Sequence, residues 1–151
     1  MTTTPAFGQI LVATDFSEPS RKALEVAADL ARHYGSKMTI LHVYPVPGYV
    51  LPEGFIAAGP DVLVEVENRT RKTLEEWQAD AVKLGVPEVS VTTAIGNAAP
   101  EIVRLAKAGK FGLIVVGTHG RTGFTGFVLG SVAGRVVTTS DCPVVTVPFR
   151  G

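Results

Sequence analysis

The chain of 151 residues has the length of one globular domain, because domains most often hold roughly 100 to 150 residues. Hydrophobic residues make up 46% of it and charged residues 19%, which supports one sizeable core and excludes a disordered chain. The 14 basic and 14 acidic side chains give a formal net charge of zero, so no overall charge favours nucleic acid or an anionic membrane. We expect residues 1–151 to form one domain in which any charged ligand is bound by local groups.

The sequence also disfavours a disulfide-bonded, a metal-binding or a membrane-spanning protein. The chain has one cysteine, Cys142, and its three histidines lack the spacing of metal ligands. No segment reaches the roughly 18 apolar residues of a membrane span, and the first residues lack the pattern of a signal peptide. We therefore expect a cytoplasmic protein without a metal site.

Five short apolar runs alternate with segments long enough for helices. Such alternation predicts a parallel sheet with right-handed helical crossovers. The predicted strands are 10–13, 38–43, 89–95, 113–116 and 144–147, and the predicted helices are about 19–34, 61–84, 98–109 and 131–140. Ser17 or Glu18 is expected near the cap of the first helix, with Gly35 as its left-handed end, and Asp61 is expected to cap the second.

The composition of the strands predicts their order. Strand 3 partly alternates polar and apolar residues and strand 5 is short and bracketed by prolines, so both are expected at the edges. The predicted fold is α/β: an open, doubly wound, parallel five-stranded sheet of order 3-2-1-4-5 with helices on both faces. Ligands of such sheets bind at the carboxyl ends of the strands, at the switch point between strands 1 and 4. Segment 45–60, with four prolines and three glycines, is predicted to be a loop.

A glycine-rich stretch follows strand 4 and ends at the predicted last helix. Gly117 and Gly120 precede the pair Gly130 and Ser131, which opens that helix. Glycines admit close approach of backbone amides, and a helix N-terminus attracts anions, so this stretch predicts a phosphate site. Arg121 would add a positive charge. An ordinary loop with a helix cap is the open alternative.

Asp15 follows strand 1, on the other side of the switch point. A carboxylate repels phosphate but accepts hydrogen bonds from ribose hydroxyls. A single ligand could interact with both sides of the switch point if its sugar lay near Asp15 and its phosphates near Ser131. The alternative is that Asp15 only caps the first helix.

The sequence resembles the universal stress protein family over nearly its whole length. The resemblance lies in segments 10–17, 41–43, 113–120, 130–132 and 141–145. Members of the ATP-binding class carry Gly, two residues, Gly, nine residues, Gly, then Ser or Thr, and this chain has that spacing from Gly117 to Ser131.

The resemblance implies an ATP site, with or without Mg²⁺, and a homodimer formed through the last strand, Val144 to Val147. It implies main-chain contacts to adenine at Val43 and near Ala13, with Asp15 at the adenosine end. The glycine loop and the helix start would hold the rest of the nucleotide: Gly117, His119, Gly120 and Arg121 in the loop, and Gly130, Ser131 and Val132 at the phosphates.

Three functions remain open at this point. The favoured one is a nucleotide-responsive binding or signalling module in the stress response, with client proteins that the sequence does not identify. The second is a slow ATPase or autophosphorylating enzyme, although the sequence lacks a Walker motif and a clear pair of acidic metal ligands. The third is a dimeric interaction protein that needs no nucleotide.

Overall fold

The computed structural model describes residues 5–118 and 129–149. In this part of the chain, no helix is both long and apolar enough to cross a membrane. The strands are β1 Gln9–Ala13, β2 Lys37–Tyr44, β3 Gly48–Leu51, β4 Gly54–Ala57, β5 Glu88–Ile95, β6 Leu113–Gly117 and β7 Val144–Val147; the helices are α1 Glu18–Tyr34, α2 Pro60–Lys83, α3 Ala98–Ala108 and α4 Ser131–Thr139.

Five parallel strands form the main sheet, in the order β5-β2-β1-β6-β7. Numbered as the five predicted strands, this order is 3-2-1-4-5, so the predicted topology is confirmed. The central strand β1 is apolar throughout its middle because both of its faces are covered: Ile10, Leu11 and Val12 are each 0% exposed.

Helices cover both faces of the sheet. Because successive strand side chains point to opposite faces, neighbouring residues of β1 enter two separate cores. Ile10 and Val12 pack with α1 and α2, whereas Leu11 packs with α3 and α4. The sheet is therefore doubly wound, as predicted.

The ends of the first two helices test the predicted caps. The Ser17 side chain accepts the N–H of Ser20 at the start of α1, so Ser17 rather than Glu18 is the cap. Gly35 ends that helix in the left-handed conformation, as predicted. The predicted cap of α2, Asp61, is wrong: Gly59 is the cap residue. Pro60 takes the first helical position, where its missing N–H costs nothing, so the helix begins one residue earlier.

The predicted loop at 45–60 contains an antiparallel hairpin of β3 and β4, in which Tyr49 pairs with Ile56. The prolines of this segment lie outside the two strands, so they do not interrupt the hairpin ladder. Apolar side chains of the hairpin are exposed, Val50 by 86%. The sequence analysis did not predict these two strands.

Candidate functional site

A cleft lies at the carboxyl ends of β1 and β6, where the connection after β1 enters α1 on one face and α4 covers the other. Its space is about 560 Å³ when the open mouth is included. Five predicted site residues line it: Ala13, Asp15, Val43, Gly117 and Val132.

The other predicted site residues divide into two groups. Gly130 precedes α4 as its cap residue, with φ 88°, and Ser131 is the exposed first residue of that helix. Neither lines the cleft. His119, Gly120 and Arg121 lie outside the described residues.

The walls of the cleft also include residues that are not among the predicted site residues. Ala98 and Ile102 of α3 contribute one wall, although α3 follows the edge strand β5 in the chain. The helix reaches the cleft because it packs over β2 and beside α4. Helical periodicity indicates that Ile102 faces inward, but it does not indicate which strand lies opposite.

The main chain of β2 faces the cleft where β1 has ended. The last register pair of the two strands is Ala13 with Leu41, and the C=O of Leu41 accepts the N–H of Thr14 at 2.8 Å. The C=O of Tyr44 points the opposite way and accepts the N–H of Gly96, beyond β5. Main-chain groups of alternate residues in a strand point the same way, so those of Val43 point in the same direction as those of Leu41. At Val43, however, β1 has already ended, and these groups point towards the cleft.

Asp15 organises the turn between β1 and α1 and is exposed at the cleft. Its Oδ1 accepts hydrogen bonds from the N–H of Ser17 at 3.0 Å and the hydroxyl of Ser20 at 2.6 Å, as well as from the Ser17 hydroxyl. The buried Ser20 hydroxyl in turn accepts the N–H of Asp15 at 3.1 Å. The side-chain cap of α1 is therefore Ser17, and Asp15 supports the turn that leads to it.

Large rings fill the opposite face behind this turn. The ring of Phe16 stacks on His42 with centroids 4.4 Å apart and meets Trp77 edge-on at 5.6 Å. Tyr44 continues the row, 6.1 Å from His42. Trp77 is 5% exposed and belongs to the core on that face. We call Phe16, His42, Tyr44 and Trp77 the aromatic cluster.

Glu67 joins α2 to two strands on the same face. Its carboxylate accepts hydrogen bonds from the hydroxyls of Tyr44 at 2.7 Å and Thr93 at 2.9 Å, and from Arg71 at 3.2 Å. Burial raises the pKa of Glu67, but these three partners outweigh burial and hold the pKa below its usual value. Burial and the bond to Glu67 raise the pKa of Tyr44 to about 12.

Within 5–118 and 129–149, no three His, Cys, Asp or Glu side chains come together as a metal site.

A doubly wound parallel sheet with a cleft at its switch point defines an open α/β domain, a fold class in which ligands bind at this position. The sequence profile of the Universal stress protein family matches residues 6–148. The chain belongs to that family.

Known members of this family are similar to the chain over nearly its whole length. Universal stress protein YxiE of Bacillus subtilis is 37% identical over 150 residues, covering 93% of this chain and 99% of that protein. UspA from Lactobacillus plantarum has the same fold, with a TM-score of 0.76 at 22% identity over 95% of this chain and 99% of the other. A universal stress protein crystallised in complex with cAMP is 26% identical, with a TM-score of 0.74 and coverage of 95% and 98%.

Proposed function

We propose that the cleft binds an adenine nucleotide, with ATP as the physiological ligand, and that the chain acts as a nucleotide-responsive binding module. The observation that carries the proposal is the convergence of Ala13, Asp15, Val43, Gly117 and Val132 on one cleft at the switch point. The structural relative in complex with cAMP supports the adenine nucleotide as the ligand class.

The adenine is proposed to lie on the apolar part of the cleft. Leu41, Val43 and Ile102 offer an apolar surface, and a flat base buries its faces well against such side chains. The main-chain groups of Val43 point to the same space, where they would donate to and accept from the edge of the base. This combination gives adenine both a hydrophobic contact and a hydrogen-bonding edge.

The ribose and phosphates are proposed to extend from that base along the two ends of the cleft. The exposed carboxylate of Asp15 would accept the ribose hydroxyls. The start of α4 would attract the phosphates through its unpaired N–H groups and its dipole, with the exposed hydroxyl of Ser131 as a further donor. Gly117, His119, Gly120, Arg121, Gly130 and Val132 are proposed to complete this part, and Mg²⁺ to accompany the triphosphate.

The test is a calorimetric titration of the purified chain with ATP, with and without Mg²⁺, beside nucleotide analysis of an extract of the folded protein. We expect a Kd in the micromolar range or co-purified adenine nucleotide. Absence of binding at millimolar ATP would overturn the proposal and leave an interaction protein that acts without nucleotide.

Slow phosphoryl transfer is the second candidate, and Ser131 is the residue that favours it. Thr118 is 3% exposed and its hydroxyl faces the C=O of Val147 at 3.5 Å, so this hydroxyl is poorly placed to receive a phosphoryl group. Ser131, in contrast, is exposed at the start of α4. Incubation with γ-labelled ATP separates the outcomes. Label on Ser131 or steady release of ADP supports an enzyme, and intact bound ATP supports the binding module.

We also propose a homodimer that forms through β7. Val144–Val147 is an edge strand, paired with β6 on one side. The C=O groups of Pro143 and Val147 accept bonds on the β6 side, so the main chain of Thr146 points outward. Thr146→Pro removes that outward N–H and should convert a dimer into a monomer in light scattering, while Val50→Pro in the hairpin should leave the dimer intact.

A further inference from the structure

Two neighbouring residues of β2 face opposite sides of the sheet. Val43 lines the cleft, whereas the imidazole of His42 lies in the aromatic cluster on the other face. His42 is therefore close to the cleft in the chain but separated from any ligand in it by the sheet.

His42 contacts the turn that carries Asp15. Its Nδ1 lies 2.7 Å from the C=O of Thr14. A carbonyl oxygen only accepts hydrogen bonds, so Nδ1 carries the proton and donates it, which fixes the tautomer of a neutral ring. Thr14 is 6% exposed and directly precedes Asp15, so this bond holds the peptide that orients the carboxylate.

Phe16 holds the same turn from the other side of Asp15. Its φ is 65°, a left-handed conformation that L residues seldom adopt. The hydroxyl of Thr14 accepts the N–H of Phe16 at 2.9 Å, and the ring stacks on His42. This conformation sends Phe16 into the aromatic cluster while Asp15 stays in the cleft.

We infer that His42 is a positioning residue for ribose recognition: through the Thr14 carbonyl and the Phe16 ring, it sets the orientation of Asp15 from behind the cleft. The inference rests on the proposed function, since it concerns how tightly the ribose of a nucleotide is bound. In this role His42 touches no ligand, because it lies on the face of the sheet opposite the cleft.

The experiment compares two amide replacements of the imidazole. In His42→Asn the amide nitrogen lies close to the position of Nδ1 and keeps the bond to Thr14. In His42→Gln the amide nitrogen lies close to the position of Nε2 and loses that bond. Both variants lose the ring and its stacking, so they differ in the hydrogen bond to Thr14 and in one methylene.

The readout is the Kd for 2′,3′-dideoxy-ATP divided by the Kd for ATP, measured by calorimetry. If the variant only destabilises the turn, both nucleotides bind more weakly to the same extent and this ratio is unchanged. We expect the ratio to exceed one in the wild type and in His42→Asn, and to fall roughly three- to tenfold in His42→Gln, the size of one lost hydrogen bond. Equal ratios in the two variants would overturn the inference.

His33→Gln is the matched control. The Nδ1 of His33 also donates to a main-chain carbonyl, that of Asp29, at 2.9 Å, but it does so on α1, outside the cleft. This variant should keep the wild-type ratio. A wild-type chain that binds no ATP refutes the proposed function, whereas normal ATP binding with an unchanged ratio in His42→Gln refutes only the role of His42.

A measurement on the nucleotide-free wild type tests the geometry without any variant. Nitrogen-15 NMR at pH 8 distinguishes the two neutral imidazole tautomers. The inference requires the proton of His42 on Nδ1. A proton on Nε2 would contradict it, because Nδ1 would then face the Thr14 carbonyl as an acceptor.

Discussion

The two faces of the sheet differ most at the carboxyl ends of β1 and β2. On the α1 and α2 face, the four rings of the aromatic cluster fill the space, whereas on the α3 and α4 face a cleft remains open. The strands are the same on both faces, so the difference comes from side-chain size. Small residues border the cleft: Ala13, Val43, Ala98, Gly117 and Val132.

The packed face gives the open face its rigidity. The guanidinium of Arg21 lies 3.9 Å from the centroid of the Trp77 ring and donates to Asp80 at 2.8 Å, so α1, α2 and the aromatic cluster are held together. The turn that carries Asp15 rests on that cluster through Phe16. A site held in place before the ligand arrives loses less entropy on binding.

The largest predicted effect belongs to the packed face. Leu74 of α2 is 0% exposed, and Leu74→Ala should lower the free energy of unfolding by about 2 to 5 kcal/mol, because a cavity replaces the leucine side chain. Urea unfolding measures this change. Leu84→Ala, at a position that is 38% exposed, is the control and should cost far less. Equal losses would contradict the assignment of Leu74 to the core.

A smaller effect is predicted where α1 meets the cleft. A Cβ added at Gly117 would lie 2.5 Å from the C=O oxygen of Pro19, so Gly117→Ala must push the start of α1 away from β6. We expect a loss of about 1 to 3 kcal/mol.

Gly134→Ala is the control for Gly117→Ala. Gly134 lies inside α4, and among the described residues its new Cβ would meet Leu129 alone, at 3.8 Å. This variant should gain about 0.5 to 1 kcal/mol in urea unfolding, because alanine favours a helix. If the two variants have the same free energy of unfolding, the close approach between Gly117 and Pro19 does not contribute to stability as predicted.

The smallest effect depends on pH. The partners of Glu67 hold its pKa below the usual value, so its ionised form stabilises the fold above about pH 4.5, and this contribution is lost as the pH falls through the lowered pKa. Glu67→Gln should cost about 1 kcal/mol at pH 7 and progressively less as the pH falls from 4.5 to 3. Glu65→Gln, on the exposed side of α2, should cost little at any pH. A cost for Glu67→Gln that is the same at pH 7 and pH 3 would contradict the prediction.

The sequence predicts the main sheet well because periodicity and strand composition are local properties. Alternation of apolar runs with helical segments predicts the α/β class, and the polar pattern of 89–95 predicts its edge position as β5. The α2 cap was assigned to Asp61 because side-chain caps are common, yet Pro60 moved it to Gly59. The hairpin was missed because proline content obscured two strands of four residues each.

The cleft is predicted only in part, since its walls come from distant segments. Asp15 lies just after β1 and Gly117 is the last residue of β6, and topology alone predicts a ligand site at these strand ends. Ala98 of α3 carries no such signal, because its place depends on how α3 crosses β2. The sequence also did not predict the positive φ of Gly130, because of which Gly130→Val would strain the backbone as well as crowd the proposed phosphate site.

The most direct test of the central claim fills the cleft without touching the packed face. Ala98→Phe places a ring in the cleft, and Ala79→Phe places the same ring on the exposed side of α2 as a control. Calorimetric titration with ATP should give an affinity at least about tenfold weaker for Ala98→Phe, a cost of about 1.4 kcal/mol, and a wild-type affinity for Ala79→Phe. Wild-type affinity in folded Ala98→Phe would contradict the account, because the nucleotide would then bind elsewhere.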